Sequence, residues 1–125
     1  GNDFNKNQKA LYSMSLEQIN HNSNLIKADV SFREFSEKSW KLPEEYYGNR
    51  YSVMVHGIGL CDEWPSIRYP TDGGDKSGRF LKNMTITVES YIGKVGGKEG
   101  VKLEQQYLVG ENGLELMSHH PLEDI

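Results

Sequence analysis

His56 in Val-His-Gly-Ile-Gly-Leu, Glu89 in Thr-Val-Glu-Ser and Glu104 in Lys-Leu-Glu-Gln bring one imidazole and two carboxylates to separate apolar runs. A neutral imidazole nitrogen with carboxylate oxygens suits Zn²⁺, Mn²⁺, Fe²⁺ or Co²⁺, which accept mixed nitrogen and oxygen donors. Together they would make half of a divalent-metal site. The glycines beside His56 permit close backbone approach to the imidazole. By pattern alone other readings stay open. Polar strand faces are exposed by default, so Glu89 and Glu104 would be solvated there. A lone histidine at a strand end is more often structural than ligating.

The elements that must position these residues follow from periodicity. Residues from about Asn7 to Lys27 read as a helix, with Ala10, Leu11, Met14, Gln18, Asn22, Leu25 and Ile26 near one face. That face is polar in its middle. Ser31-Phe-Arg-Glu34 has the form of a capping box. A second helix should run from there to about Lys41, burying Phe32, Phe35 and Trp40, and end before Pro43.

Beyond Arg50 the pattern changes to strands at Tyr51–His56, Met84–Tyr91, Val101–Val109 and Leu114–Met117. Met84, Ile86 and Val88 alternate with Thr85, Thr87 and Glu89, which puts Glu89 on the polar side. Glu104 likewise shares a side with Lys102 and Gln106. Asn112-Gly113 is a hairpin signal, and Arg68–Arg79 reads as a surface loop. The class is α+β, two helices followed by a mainly antiparallel sheet.

The chain of 125 residues suffices for one modest domain. A net charge of −4 without a basic stripe argues against nucleic acid. No apolar run reaches the ~20 residues of a membrane-spanning helix. A single cysteine, Cys61, excludes an internal disulfide and fits a reducing, cytoplasmic setting. Without a histidine partner placed by sequence it reads as a small buried thiol. His119-His120 reads as a tail, and Asn83-Met-Thr85 as a turn before a strand. Trp64, Tyr69 and Tyr91 would line a cleft or pack under loops.

The order His-Gly-Ile-Gly-Leu, Asn-Met-Thr-Ile-Thr-Val-Glu, Gly-Val-Lys-Leu-Glu and Tyr-Leu-Val-Gly-Glu-Asn-Gly resembles the pita-bread metallohydrolases. These include aminopeptidase P, prolidase, methionine aminopeptidase and the metal-free creatinase. Gln8-Lys-Ala-Leu-Tyr12 and Lys27-Ala-Asp-Val-Ser-Phe-Arg-Glu34 look like the family's helix and its Pro-Gly-Val-Ser turn. The resemblance covers nearly the whole chain.

It implies a pita-bread fold with a curved sheet, and a site for two divalent metal ions (Mn, Zn, Fe or Co). His56, Glu89 and Glu104 would be ligands in it. Two aspartates complete the family's site on strands before the Gln-Lys-x-Leu-Tyr helix, which here begins almost at residue 1. Residues 1–125 are thus expected to be the C-terminal portion of a catalytic domain, inactive alone.

The leading expectation is an Xaa-Pro peptidase, in which a metal-bridging hydroxide attacks an amide carbonyl. Asp62 and Glu63 would then serve proton transfer or substrate contact. Xaa-Pro peptidases carry further histidines, whose places here hold Ser52 and the Cys61-Asp-Glu-Trp-Pro65 stretch. His-Gly-x-Gly-Leu-Cys-Asp-Glu-Trp-Pro instead looks similar to dimethylsulfoniopropionate lyases on the same fold, where Asp62 would be the base of a β-elimination. By itself Asp62 could simply cap a turn. A third reading is a non-catalytic domain that binds a partner. A small peptide or small-molecule substrate and a homodimer are the expected partners.

Overall fold

The computed structural model describes residues 6–58, 64–94, 96–97 and 99–117. In chain order the elements are α1 (Lys6–Ser23), α2 (Phe32–Lys38), α3 (Glu44–Tyr47), β1 (Val53–Gly57), β2 (Ser66–Arg68), β3 (Thr85–Gly93), β4 (Gly100–Val109) and β5 (Leu114–Leu116). A single turn of 3₁₀ helix at Pro70–Asp72 follows β2. Among the described residues the strands form a five-stranded sheet in the order β2-β1-β3-β4-β5, with every neighbouring pair antiparallel.

Alternation along β3 divides the sheet into two chemical faces. Ile86, Val88 and Ile92 are buried on the side that packs against α1, joined by Val55 opposite Val88. α1 lies across β3 and β4 and covers this side with Leu11, Tyr12 and Ile19. The helix is shorter than its periodicity suggests, ending at Ser23 rather than near Lys27. Tighter bonds from the amides of Leu25 to Asn22 and of Ile26 to Ser23 close it. Its buried face also differs from expectation: Ala10 is exposed, while Ser15 and Ile19 are buried.

The polar middle of α1 is buried because it is fully used. Gln18 donates from Nε2 to the Tyr69 hydroxyl at 2.6 Å, and its Oε1 accepts from the Ser90 hydroxyl at 2.7 Å. Asn22 accepts at 2.8 Å from the backbone amide of Trp40. That bond draws Trp40 out of helical register, so α2 stops at Lys38 and not near Lys41. Pro43 does not end α2 as expected but sits at the N-cap of the short α3, which periodicity alone did not reveal.

Ser31 caps α2, its hydroxyl accepting the Glu34 amide at 3.0 Å. Glu34 turns to Lys38 at 3.3 Å. Just upstream, Asp29 adopts φ of 76°, at the place that glycine holds in a Pro-Gly-Val-Ser turn. A short aspartate side chain tolerates that left-handed geometry better than most.

The expected Arg68–Arg79 loop is partly ordered into the sheet. Arg68 pairs with Val53, and Arg79 forms a bridge with Ser31. The turn Gly110–Gly113 closes the β4–β5 hairpin, with the Gly110 amide donating to the Gly113 carbonyl at 2.8 Å. Of the Asn-Gly pair only Gly113 takes positive φ.

Replacing Gln18 by leucine leaves two buried hydroxyls to find new partners. An unsatisfied buried polar group costs about 1–3 kcal/mol, so a loss of about 2–4 kcal/mol is expected in chemical denaturation. A Tyr69→Phe, Ser90→Ala background should recover much of it.

Arg50 lies over the Tyr47 ring at 4.0 Å and forks onto Asp72, with Nε donating to Oδ2 at 2.8 Å. The hydrogen bonds from Arg50 hold the Asp72 carboxyl below its ordinary range. Its stabilisation is therefore complete above the unfolded value of about 3.9 and is lost as pH falls through the lower folded value. The stability gap between wild type and Asp72→Asn should be constant from pH 7 to about 5 and shrink below about 4.

Candidate metal centre

Strand register brings the three expected ligands to the sheet face opposite α1. His56 on β1 stands across from Thr87 on β3, and Glu89 on β3 stands across from Glu104 on β4. Because Thr87 and Glu89 are two apart, all of these side chains leave from one side. Lys102 and Gln106 of β4 share it, opposite Tyr91 and Thr87.

A bulge between Val53 and Val55 puts one extra residue into β1 against β2, so Met54 and Val55 are both buried and alternation breaks just before His56. Gly57 follows for a steric reason. A Cβ there would lie 2.0 Å from the carbonyl oxygen of Trp64, and the Gly57 amide donates to the Pro65 carbonyl at 2.7 Å. The close approach expected of the glycines is thus made at Gly57, to the Trp64–Pro65 backbone.

Glu89 is only 4% exposed although it lies on the polar side of its strand, unlike the solvated glutamate that pattern alone allows. Its Oε2 makes no hydrogen bond among the described residues and lies 3.3 Å from His56 Nε2. Oε1 is 3.6 Å from Lys102 Nζ. Burial pushes the Glu89 carboxyl up, and the adjacent Glu104 carboxyl adds to this, while His56 and Lys102 oppose it. Glu104 itself is exposed.

His56 Nδ1 is 3.0 Å from the Gly57 carbonyl, which can accept its proton and leave the Nε2 lone pair facing Glu89. Metal-ligating histidines are commonly oriented by such a bond from the other ring nitrogen. An imidazole lone pair and a carboxylate oxygen at this distance need a proton or a cation between them. Among the described residues, no three His, Cys, Asp or Glu side chains converge closely enough to hold a metal as they stand. His56 and Glu89 are joined, and Glu104 is a neighbour on the same face.

Asp62 and Glu63 lie outside the described residues, as do Cys61, His119 and His120. Of the three aromatic candidates, Tyr69 belongs to the core and Trp64 packs edge-on against Phe32 at 5.5 Å. Tyr91 lines a cleft of about 270 Å³ with Asn49, Arg50, Tyr51 and Lys102. Sequence reading placed Tyr51 inside a strand and missed its part in this cleft. The polar Asn49-Arg50 turn before it was the available signal.

An antiparallel sheet thus carries a helix on one side and His56, Glu89 and Glu104 on the other. Residues 1–111 match metallopeptidase family M24, and the chain belongs to that family. It is 37% identical over 109 residues to dimethylsulfoniopropionate lyase DddP of Roseovarius nubinhibens, covering 86% of this chain and 24% of that protein. The prolidase of Pyrococcus horikoshii superposes with a TM-score of 0.79 at 24% identity, over 97% of this chain and 34% of that one. The Xaa-Pro dipeptidase of Bacillus anthracis gives 0.70 at 28% identity, over 94% and 32%. These likenesses establish the pita-bread fold. The chain spans about a quarter of the length of the curated relative.

The family generally depends on two metal ions. The Glu89 oxygen that lacks a hydrogen bond among the described residues and the His56 nitrogen facing it are donors of the kind such an ion takes, so their chemistry fits the group. No helix among the described residues is long and apolar enough to cross a membrane.

In metal analysis of the full-length protein, His56→Ala and Glu89→Ala should each lower bound divalent metal by at least half. Unchanged stoichiometry in both would remove these residues from the ligand set.

Proposed function

We propose that the full-length protein catalyses a metal-dependent β-elimination that splits a carbon–sulfur bond, with dimethylsulfoniopropionate as the substrate. The observation that carries this reading is the 37% identity to DddP, taken with the sequence, which places the Asp62 carboxylate in the stretch just after His56. In this reading His56, Glu89 and Glu104 hold the metal. A bound divalent ion supplies Lewis acidity that draws charge from the substrate carboxylate.

Asp62 removes the proton from the carbon next to that carboxylate. The electron pair of the broken C–H bond forms the double bond of acrylate. The C–S bond breaks as dimethyl sulfide leaves with its electrons. A carboxylate can serve as this base when desolvation raises its pKa toward the working range.

A second reading, hydrolysis of an Xaa-Pro amide, draws support from the 28% identity to the Bacillus anthracis dipeptidase. Against it stands the lack of further histidines near Ser52 and in Cys61–Pro65, which hold no imidazole. Homodimerisation and a cytoplasmic setting remain part of the proposal.

Metal-loaded full-length protein should release dimethyl sulfide from dimethylsulfoniopropionate and little proline from an Xaa-Pro dipeptide. Asp62→Ala should cut lyase turnover by about 10²–10⁴ while leaving bound metal unchanged. Proline release without dimethyl sulfide would reverse the order of the readings, and full turnover in Asp62→Ala would remove the base.

A further inference from the structure

A carboxylate taken out of water must meet compensating charge or become neutral. Glu89 is in that position on the central strand, and Glu104 directly across the sheet adds a second negative charge. Among the described residues, the His56 imidazole lies toward Oε2 and the Lys102 ammonium toward Oε1. Lys102 projects from β4 opposite Tyr91, and its Nζ stands 5.8 Å from the centre of the Tyr51 ring.

We infer that Lys102 is an internal counter-cation that neutralises the Glu89–Glu104 pair in the metal-free protein and gives way on metal loading, weakening the site's affinity for divalent ions. The inference rests on the reading of His56, Glu89 and Glu104 as metal ligands.

Three features of Lys102 support this role. Its ammonium is 3.6 Å from Glu89 Oε1, close enough for charge compensation but longer than a hydrogen bond, so no directed bond must break when it departs. Its side chain is 57% exposed, so the head group can swing into water on a flexible four-carbon stem. The Tyr51 ring offers the displaced ammonium a second favourable position. A divalent ion held by Glu89 would share its carboxylate with the ammonium, and like charges at that range repel. Solvent exposure of Lys102 screens much of this repulsion, which limits the effect to about three- to tenfold in affinity.

Calorimetric titration of Mn²⁺ into metal-free full-length protein tests the inference. Lys102→Met and Lys102→Gln should bind about three- to tenfold more tightly than wild type. Lys102→Arg, which keeps the charge, should bind as wild type does. So should Lys82→Met, which removes a lysine paired on the surface with Glu111. Without metal, Lys102→Met should melt below wild type, and saturating Mn²⁺ should close the gap. Unchanged or weaker Mn²⁺ binding in both neutral variants, with wild-type binding intact and lost in His56→Ala, overturns the inference alone. Wild-type protein that binds no Mn²⁺, or His56→Ala that binds it normally, overturns the ligand reading and this inference together.

Discussion

A buried amide must have both its ends satisfied, and at Gln18 that requirement ties α1 to the sheet. Its carbonyl oxygen accepts from Ser90 of β3 and its nitrogen donates to Tyr69 after β2. Ser90 must therefore face the helix. Since neighbours in a strand point to opposite sides, Glu89 must face away from it. A one-residue slip of β3 would turn Glu89 toward α1 and strip Gln18 of its partner, so two penalties guard the same register. The division of the sheet into a packing side and a chemical side rests on this arrangement.

On the chemical side, geometry converts ordinary polar residues into a site with unbalanced charge. Antiparallel pairing sets Glu89 beside Glu104 and His56 beside Thr87, and the central position of β3 removes Glu89 from water. The Gly57 backbone accepts from the imidazole on one side and admits the Trp64–Pro65 segment on the other. What results is a carboxylate oxygen without a hydrogen bond among the described residues, beside a histidine nitrogen. A buried oxygen in that position carries an uncompensated desolvation cost.

Much of the architecture was legible because its signals are local. The β3 strand, the Ser31 cap and the Gly110–Gly113 turn depend on neighbours a few residues apart, and each formed, although burial along β3 does not alternate. The largest failure was non-local. The end of α2 depends on Asn22 capturing the Trp40 amide, eighteen residues away. The short β2 and the α3 turn carry too few residues for periodicity to detect. The polar middle of α1 looked like a defect in its apolar face and is in fact the part that bonds to the sheet.

Sequence by itself determined the fold class and the family, and singled out His56, Glu89 and Glu104 as candidates, because spaced motifs in a set order need no contact information to be read. Their placement as one group was a matter of tertiary structure. Burial of Glu89, its meeting with His56 and the approach of Lys102 arise from strands distant in the chain, and pairing alone sets those distances. Whether a strand glutamate is a solvated charge or an uncompensated buried one depends on what lies across the sheet, which alternation along a single strand cannot express.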